Sequence, residues 1–357
     1  MSRTVIIGFA VLFCVQALWA HPSWGIVVDS HRNIYFADIV HNGRGSVWKL
    51  SHDGKLSLLL SDFHAHNVCL DNKGRLVTAH GEGDHTMLRL EADGTFDTLV
   101  RTQDHNAFFG GNCSYTPQGN IIFGIDNHIW RLDPAGDKYK VSNHYFKWNQ
   151  SLYADDEGNI YAPDIGDGKG QLVRIDNAGN AEVIANKLIT KLDRPYEPHN
   201  DILLGVTKGC DGLIYIAEMA GKRIIKINDN EHTSTFYTST GHWFPTGVDF
   251  FAGDAYILEY KDSSGISGPR IVKIDESGNT SVLFDYEGYH NKDMGHVPPV
   301  LPGSPGSPGG GNLPTSIYLA LLVLIFVPGL VLFFRHTAAV TIPRPFFRQD
   351  QRDQDFS

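Results

Sequence analysis

Short apolar runs alternate with polar turns along most of this chain, and the alternation itself repeats. The stretch Asn33 to Lys55, NIYFADIVHNGRGSVWKLSHDGK, sets the pattern: a strand ending in an acid, a polar loop, a second strand, and a tight turn carrying Gly54. Five further versions follow: GRLVTAH with MLRLEADGT, GNIIFGID with IWRLDPAGD, GNIYAPD with LVRIDNAGN, GLIYIAE with IIKINDNEH, and GDAYILE with IVKIDESGN. Ahead of each lies a shorter apolar run, in order Trp24–Asp29, Asn67–Asp71, Asn112–Thr116, Ser151–Asp155, Gly205–Lys208 and Gly247–Phe250. Runs this short, bounded by turn residues, predict strands rather than helices. The turns NKGR, PQGN, DEGN and CDGL put glycine where a hairpin needs positive φ.

The turn glycines recur at a period of about 44 residues, which is the mark of a β-propeller with four strands per blade. The repeated region, Trp24 to Asp285, spans 262 residues and divides into six blades. The predicted fold class is therefore all-β, a six-bladed propeller occupying residues 21–296 as one domain. In a meander of strands A, B, C and D, the A-to-B and C-to-D connections share one face of the ring. Those connections are short Asp-Gly turns, so that face is predicted to be flat. The B-to-C and D-to-A connections share the other face, and they are longer, more variable and rich in histidine. Binding groups are usually carried by loops on a rigid scaffold, so function is assigned to this long-loop face.

The two ends of the chain differ from the repeat. Residues 1–20 carry Arg3, the apolar run Val5 to Val15 and small residues, with Ala17 or Ala20 as cleavage points, and read as a secretory leader. Residues 297–315 are rich in Pro, Gly and Ser and read as a stalk. Ser316 to Phe334 holds 19 residues without a charge, about 28 Å as a helix, which predicts a single C-terminal transmembrane helix. Arg335, Arg344, Arg348 and Arg352 follow it, so the tail, 335–357, is predicted to be cytoplasmic and the propeller extracytoplasmic.

The bulk composition narrows the partners. A formal charge of −10 with no basic stripe argues against nucleic acid. The partners that remain are an extracytoplasmic protein, a glycan or a small molecule, with the membrane contacted through the one helix. Beyond Cys14 in the leader there are three cysteines, Cys69, Cys113 and Cys210, which read as small buried hydrophobes or, for Cys69 and Cys113, as a disulfide. Of the N-x-[ST] sequons at Asn112, Asn149 and Asn279, only the last lies on a predicted surface turn.

Two constellations could carry chemistry. The ends of the B strands supply Asp38, His80, Asp126, Asp164, Glu218 and Glu259, which form either an acidic ring around a well or a set of acceptors for the backbone N–H groups of their own B-to-C loops. The starts of the A strands supply Trp24, His66, Asn67, Asn112, Asn149 and Gln150, with His199, Asn200 and Asp201 just ahead of the fifth blade. From His66 onward these form the candidate ligand site. Amide and imidazole groups converging on one axis could hold a divalent cation, calcium, magnesium or zinc, or could line a wet channel.

The GNIYxAD strand, the [VI]xK[LI] strand and the DG turn resemble NHL repeats and the related gluconolactonase or regucalcin (SMP-30) propellers, over Trp24 to about Phe284. The resemblance implies a divalent metal on the axis, with Asn67, Asn112, Asn149 and Asp201 as counterparts of its ligands. The first blade offers Trp24-Gly25 where that pattern has a Glu. A second precedent, the amidating-lyase type of NHL propeller, binds zinc through histidines, to which His66 and His199 could contribute. Two functions follow: a binding module presenting its long-loop face, and a metal-dependent hydrolase of lactone or ester type. The topology has its own test. Protease added outside intact cells is expected to cut the stalk and release the propeller, and digestion of the C-terminal tail with the propeller left attached would reverse the orientation.

Overall fold

The computed structural model describes residues 22–40, 44–191, 202–228, 232–262 and 266–292, all within one compact unit. They form six four-stranded antiparallel sheets, each with its strands in sequence order. The blades run 26–61, 65–102, 114–140, 153–186, 203–238 and 243–285. The predicted leader, stalk, transmembrane segment and tail lie outside the described residues, as do His199, Asn200 and Asp201. Among the described residues no helix is long and apolar enough to cross a membrane.

The hydrophobic core lies between the blades. One cluster joins blades one and two through Ala37, Val47, Val68 and Leu88. The next joins two and three through Val77, Met87, Ile121 and Phe123, and others join three to four and four to five. The largest runs from blade five through blade six to blade one, so the closing junction is part of a continuous apolar layer. A blade alone would leave these faces in water, which is why the ring is the folding unit.

No strand is exchanged across the closure, because every blade is built from consecutive strands. Side chains do the joining. Tyr260 is fully buried in blade six, and its hydroxyl donates to the Ala37 carbonyl at 3.2 Å and lies 3.3 Å from the Asp38 carboxylate. Three strands of this blade, 243–251, 254–262 and 266–274, are nine residues long, longer than any strand elsewhere in the ring. The C-to-D pairings of five blades carry a β-bulge, for example between Val47 and Trp48 and between Ile271 and Val272. A bulge adds twist, which suits blades that fan around an axis.

The carboxylates at the B-strand ends are acceptors for loops. Asp164 accepts from Trp148 N at 2.8 Å, Glu218 accepts from Thr190 N, and Glu259 accepts from the Ser239 hydroxyl. In each case the donor sits in the D-to-A connection that leads into the acid's own blade. Glu218 and Glu259 are further paired with Arg223 and Arg270 of strand C. Asp38 accepts from Val40 N at 3.0 Å. The second of the two readings, acceptance from the acid's own B-to-C loop, therefore holds for Asp38, whereas Asp164, Glu218 and Glu259 serve the D-to-A connection instead, and Asp126 is exposed on a turn.

The three later cysteines are free thiols. Cys113 is buried as expected, and burial pushes the Cys69 thiol up to about 12. Cys210, expected to be buried, is exposed in the A-to-B turn of blade five. A short helix, Tyr286–Lys292, follows the last strand and was not anticipated from the repeat; its Glu287 accepts from Ser267 and pairs with Lys261.

Closure through Tyr260 gives a direct stability test. Tyr260→Phe removes a buried hydroxyl donor and leaves the Ala37 carbonyl without it, at an expected cost of about 1–2 kcal/mol. Urea unfolding should show a lower midpoint at unchanged slope. An unchanged midpoint would mean that the apolar layer alone closes the ring.

Candidate functional site

Alternation along a strand sends every second side chain of each A strand toward the axis. Val27, Cys69, Ser114, Tyr153, Thr207 and Asp249 stand opposite Tyr35, Val77, Ile122, Tyr161, Tyr215 and Tyr256 of the B strands, so these six share one level. Two residues earlier lie Gly25, Asn67, Asn112, Ser151, Gly205 and Gly247. Ser151, rather than Asn149, holds the place in blade four that Asn67 and Asn112 hold in blades two and three. Asn149 stands a further two residues back, in the loop.

At the glycine level the inner strands press together. A Cβ on Gly25 would stand 2.4 Å from Val68 N, and one on Gly247 would stand 2.1 Å from the Trp24 carbonyl oxygen. The A-to-B ladders of blades two, five and six bulge at this height, between Ala65 and Val68, Leu203 and Val206, and Pro245 and Gly247. Trp24 N and Gly25 N both donate to His66 O, at 3.0 and 2.9 Å. The Trp24 and His66 rings lie 5.0 Å apart.

This crowding separates two cavities. Trp24 lines one of about 530 Å³, walled by the A strands of all six blades on the flat-face side. His66 lines the other, of about 350 Å³, on the long-loop side over blades three and four. Loop length explains why the second cavity sits where it does. The B-to-C connection of blade three is the two-residue turn Asp126–Asn127, with φ of 50° and 60°, between paired Ile125 and His128. That turn is shorter than the predicted long loop, and the left-handed conformation at both residues is the one such a tight hairpin requires. Long D-to-A connections, 103–113 and 141–152, rise on either side of it.

The long-loop cavity brings together His66, Asn112, Asn149 and Gln150 of the predicted set. Asn67 lines the other cavity. The remaining walls, Phe109, Phe146, Trp148, Asn127 and His128, were not singled out from the sequence. Trp148, with 37% of its surface exposed, carried the one available signal: a large aromatic side chain in a polar connection on the long-loop face.

Most of the amides clasp backbone. His66 Nδ1 donates to Gly111 O at 2.6 Å and Asn67 Nδ2 to Cys113 O at 3.2 Å, tying blade two to blade three. Asn112 Nδ2 donates to Asn149 O at 3.2 Å, and its oxygen accepts from Gly124 N at 2.9 Å. Asn149 Nδ2 donates to Ser151 O and Pro163 O at 2.8 and 2.7 Å. Gln150, half-buried, makes no side-chain hydrogen bond among the described residues, so both ends of its amide are available to a ligand. Among the described residues no three His, Cys, Asp or Glu are grouped so as to hold a metal. The oxygen of Asn112 already accepts from Gly124 N, and of the predicted metal set Asn112 and Asn149 line this cavity while Asn67 lines the other. Asp201, its one carboxylate, lies outside the described residues.

The loop face also carries a histidine group in blade two. His64 lies 4.9 Å from His66 and 6.5 Å from His80, ring to ring. Burial lowers the pKa of His64, His80 and His85, which keeps these rings neutral near neutral pH.

No family model matches the chain, and no curated protein matches its sequence. Solved structures do match its fold. Virginiamycin B lyase from Staphylococcus aureus superposes with a TM-score of 0.50 at 16% identity, over 73% of this chain and 84% of that one. A gluconolactonase from Xanthomonas campestris gives a TM-score of 0.50 at 16% identity, over 70% and 85%. A putative gluconolactonase gives 0.51 at 17% identity, over 73% and 89%. At such identities the likeness is one of fold: the chain is a six-bladed propeller of the shape shared by gluconolactonase or SMP-30-like proteins and virginiamycin B lyase.

Proposed function

We propose that this chain is a membrane-anchored, extracytoplasmic binding propeller that takes a small polyhydroxylated molecule, such as a sugar unit, in the long-loop cavity over blades three and four. The observation that carries this reading is the lining of that cavity. Trp148, Phe109 and Phe146 supply aromatic surface, and Gln150 supplies an unengaged amide beside the Asn149 oxygen. A mostly apolar concavity with a few fixed polar groups is the usual form of a small-molecule site. Aromatic surface suits the apolar face of a sugar ring, and an amide can donate to one hydroxyl while accepting from another. The volume, about 350 Å³, suits one or two such rings. The bonds of Asn112, Asn127 and Asn149 to backbone carbonyls keep the cavity wall rigid, which lowers the ordering cost of binding.

A second reading, a divalent-metal-dependent hydrolase of lactone or ester type, is favoured by the gluconolactonases among the structural neighbours. It draws on likeness of fold alone.

Calorimetric titration with a panel of neutral mono- and disaccharides and glucono-lactone separates the two. Binding of at least one neutral sugar is expected, with Trp148→Ala and Gln150→Ala each weakening it by about tenfold or more, the size expected for a stacking surface or a hydrogen bond left unmade. The melting temperature should move little, because both residues are partly exposed. Failure of every sugar to bind, or equal binding by both variants, would defeat the binding reading. Turnover of glucono-lactone that requires an added divalent cation would establish the hydrolase instead.

A further inference from the structure

The second cavity lies on the face to which no function is assigned, and one residue in it is out of keeping with the fold. At the level defined by the A-to-B register, five blades place a neutral side chain toward the axis: Val27, Cys69, Ser114, Tyr153 and Thr207. Blade six places Asp249 there. Five neutral occupants show that the architecture does not need a carboxylate at this position. The groups that hold Asp249 are neutral as well: Val28 N donates to its Oδ2 at 2.8 Å, and Phe250 N and the Thr207 hydroxyl also donate to it. Among the described residues no lysine or arginine is paired with it. The one lysine on a neighbouring A strand, Lys208, is paired with Asp155 at 3.5 Å.

A carboxylate without a cation, inside a walled space, is costly to keep ionised. Burial pushes the Asp249 carboxyl up to about 7.

We propose that the flat-face cavity is a binding site for a small organic cation, a protonated primary amine whose ammonium group pairs with Asp249. The volume, about 530 Å³, is far larger than a metal ion needs. The walls add apolar surface from the inward-facing Val27 and Cys69 and the ring of Tyr153, which suit the body of an organic ligand. A metal ion would want several oxygen or nitrogen ligands, and among the described residues no group of three or more His, Cys, Asp or Glu provides them. An ammonium needs fewer: one carboxylate, and hydroxyls such as those of Ser114 and Thr207. Asp156, exposed at the flat-face end of the same cavity, adds negative potential at its mouth. This site is separate from the sugar cavity, since the glycine level stands between them.

The test is calorimetric titration of the full chain with phenethylammonium, and with 2-phenylethanol as its uncharged counterpart. Phenethylammonium is expected to bind at pH 8 with one site per chain, and 2-phenylethanol at least tenfold more weakly. Asp249→Asn, which keeps the shape and removes the charge, should lower phenethylammonium affinity by about tenfold or more, as expected for a charge-assisted hydrogen bond.

Wild-type protein supplies an independent measurement should that variant fail to fold. Among the described residues the other ionisable groups facing the cavity or its mouth are Cys69, Tyr115, Tyr153, Asp155, Asp156 and Lys208. Between pH 8 and pH 5 the amine stays charged while Asp249 takes up its proton, so affinity should fall as pH drops through about 7. Absence of binding, equal binding by Asp249→Asn, flat pH dependence, or an Asp249-dependent response to calcium or magnesium but not to the amine would each overturn the proposal.

Discussion

Close approach of the inner strands at the axis governs what this propeller can do. At the level of Gly25, Gly205 and Gly247 the strands of blades five, six, one and two come near enough that a single added methyl would meet backbone. Only glycine permits such an approach without displacing a strand. The consequence is that the axis is interrupted, with Trp24 against His66 at the boundary. The arrangement carries a cost, since the buried Trp24 indole N–H has no hydrogen-bond partner among the described residues, a loss of roughly 1–3 kcal/mol. What results is two wells with different chemistry: amides and aromatic rings on the loop side, and the Asp249 carboxylate with Asp156 at the mouth on the flat side.

The loop face is shaped by a second constraint that the repeat imposes. Because Asp164, Glu218 and Glu259 hold the connections leading into their own blades, those loops are fixed at their bases whatever their length. Length can then vary freely without loosening the ring. The two-residue turn of blade three beside the long connections 103–113 and 141–152 leaves a hollow that blades with more even loops do not have. In this account the acids serve the scaffold and the hollow serves the ligand.

Much of this was legible in the residues. The period of the turn glycines specified six blades, and the phase of the apolar runs located the A, B and C strands of each, because both follow from local backbone geometry. The structural role of the B-end acids was one of two readings, and their recurrence favoured it. The inner site was harder. Asn149 reads as the equivalent of Asn67 and Asn112, yet a long connection shifts it by two residues, and a shift of two keeps a side chain on the same face while moving it along the axis. Trp148 is a loop residue with no periodicity to mark it. Asp249 could have been found by comparing the six A strands position by position, since it is the one charge among Val27, Cys69, Ser114, Tyr153 and Thr207. Inside the apolar run Gly247–Phe250 it read instead as an ordinary strand residue. The contacts of Gly25 and Gly247 depend on neighbouring blades, and no local pattern announces them.

The division of the axis is the central claim, and ordered water reports on it directly. A crystal structure of the protein at a resolution that defines solvent should contain two bodies of ordered water, one against Asp249 and one against Gln150, with a dry break at Gly25, Gly205 and Gly247. A continuous file of water running from one face to the other through that level would contradict the account.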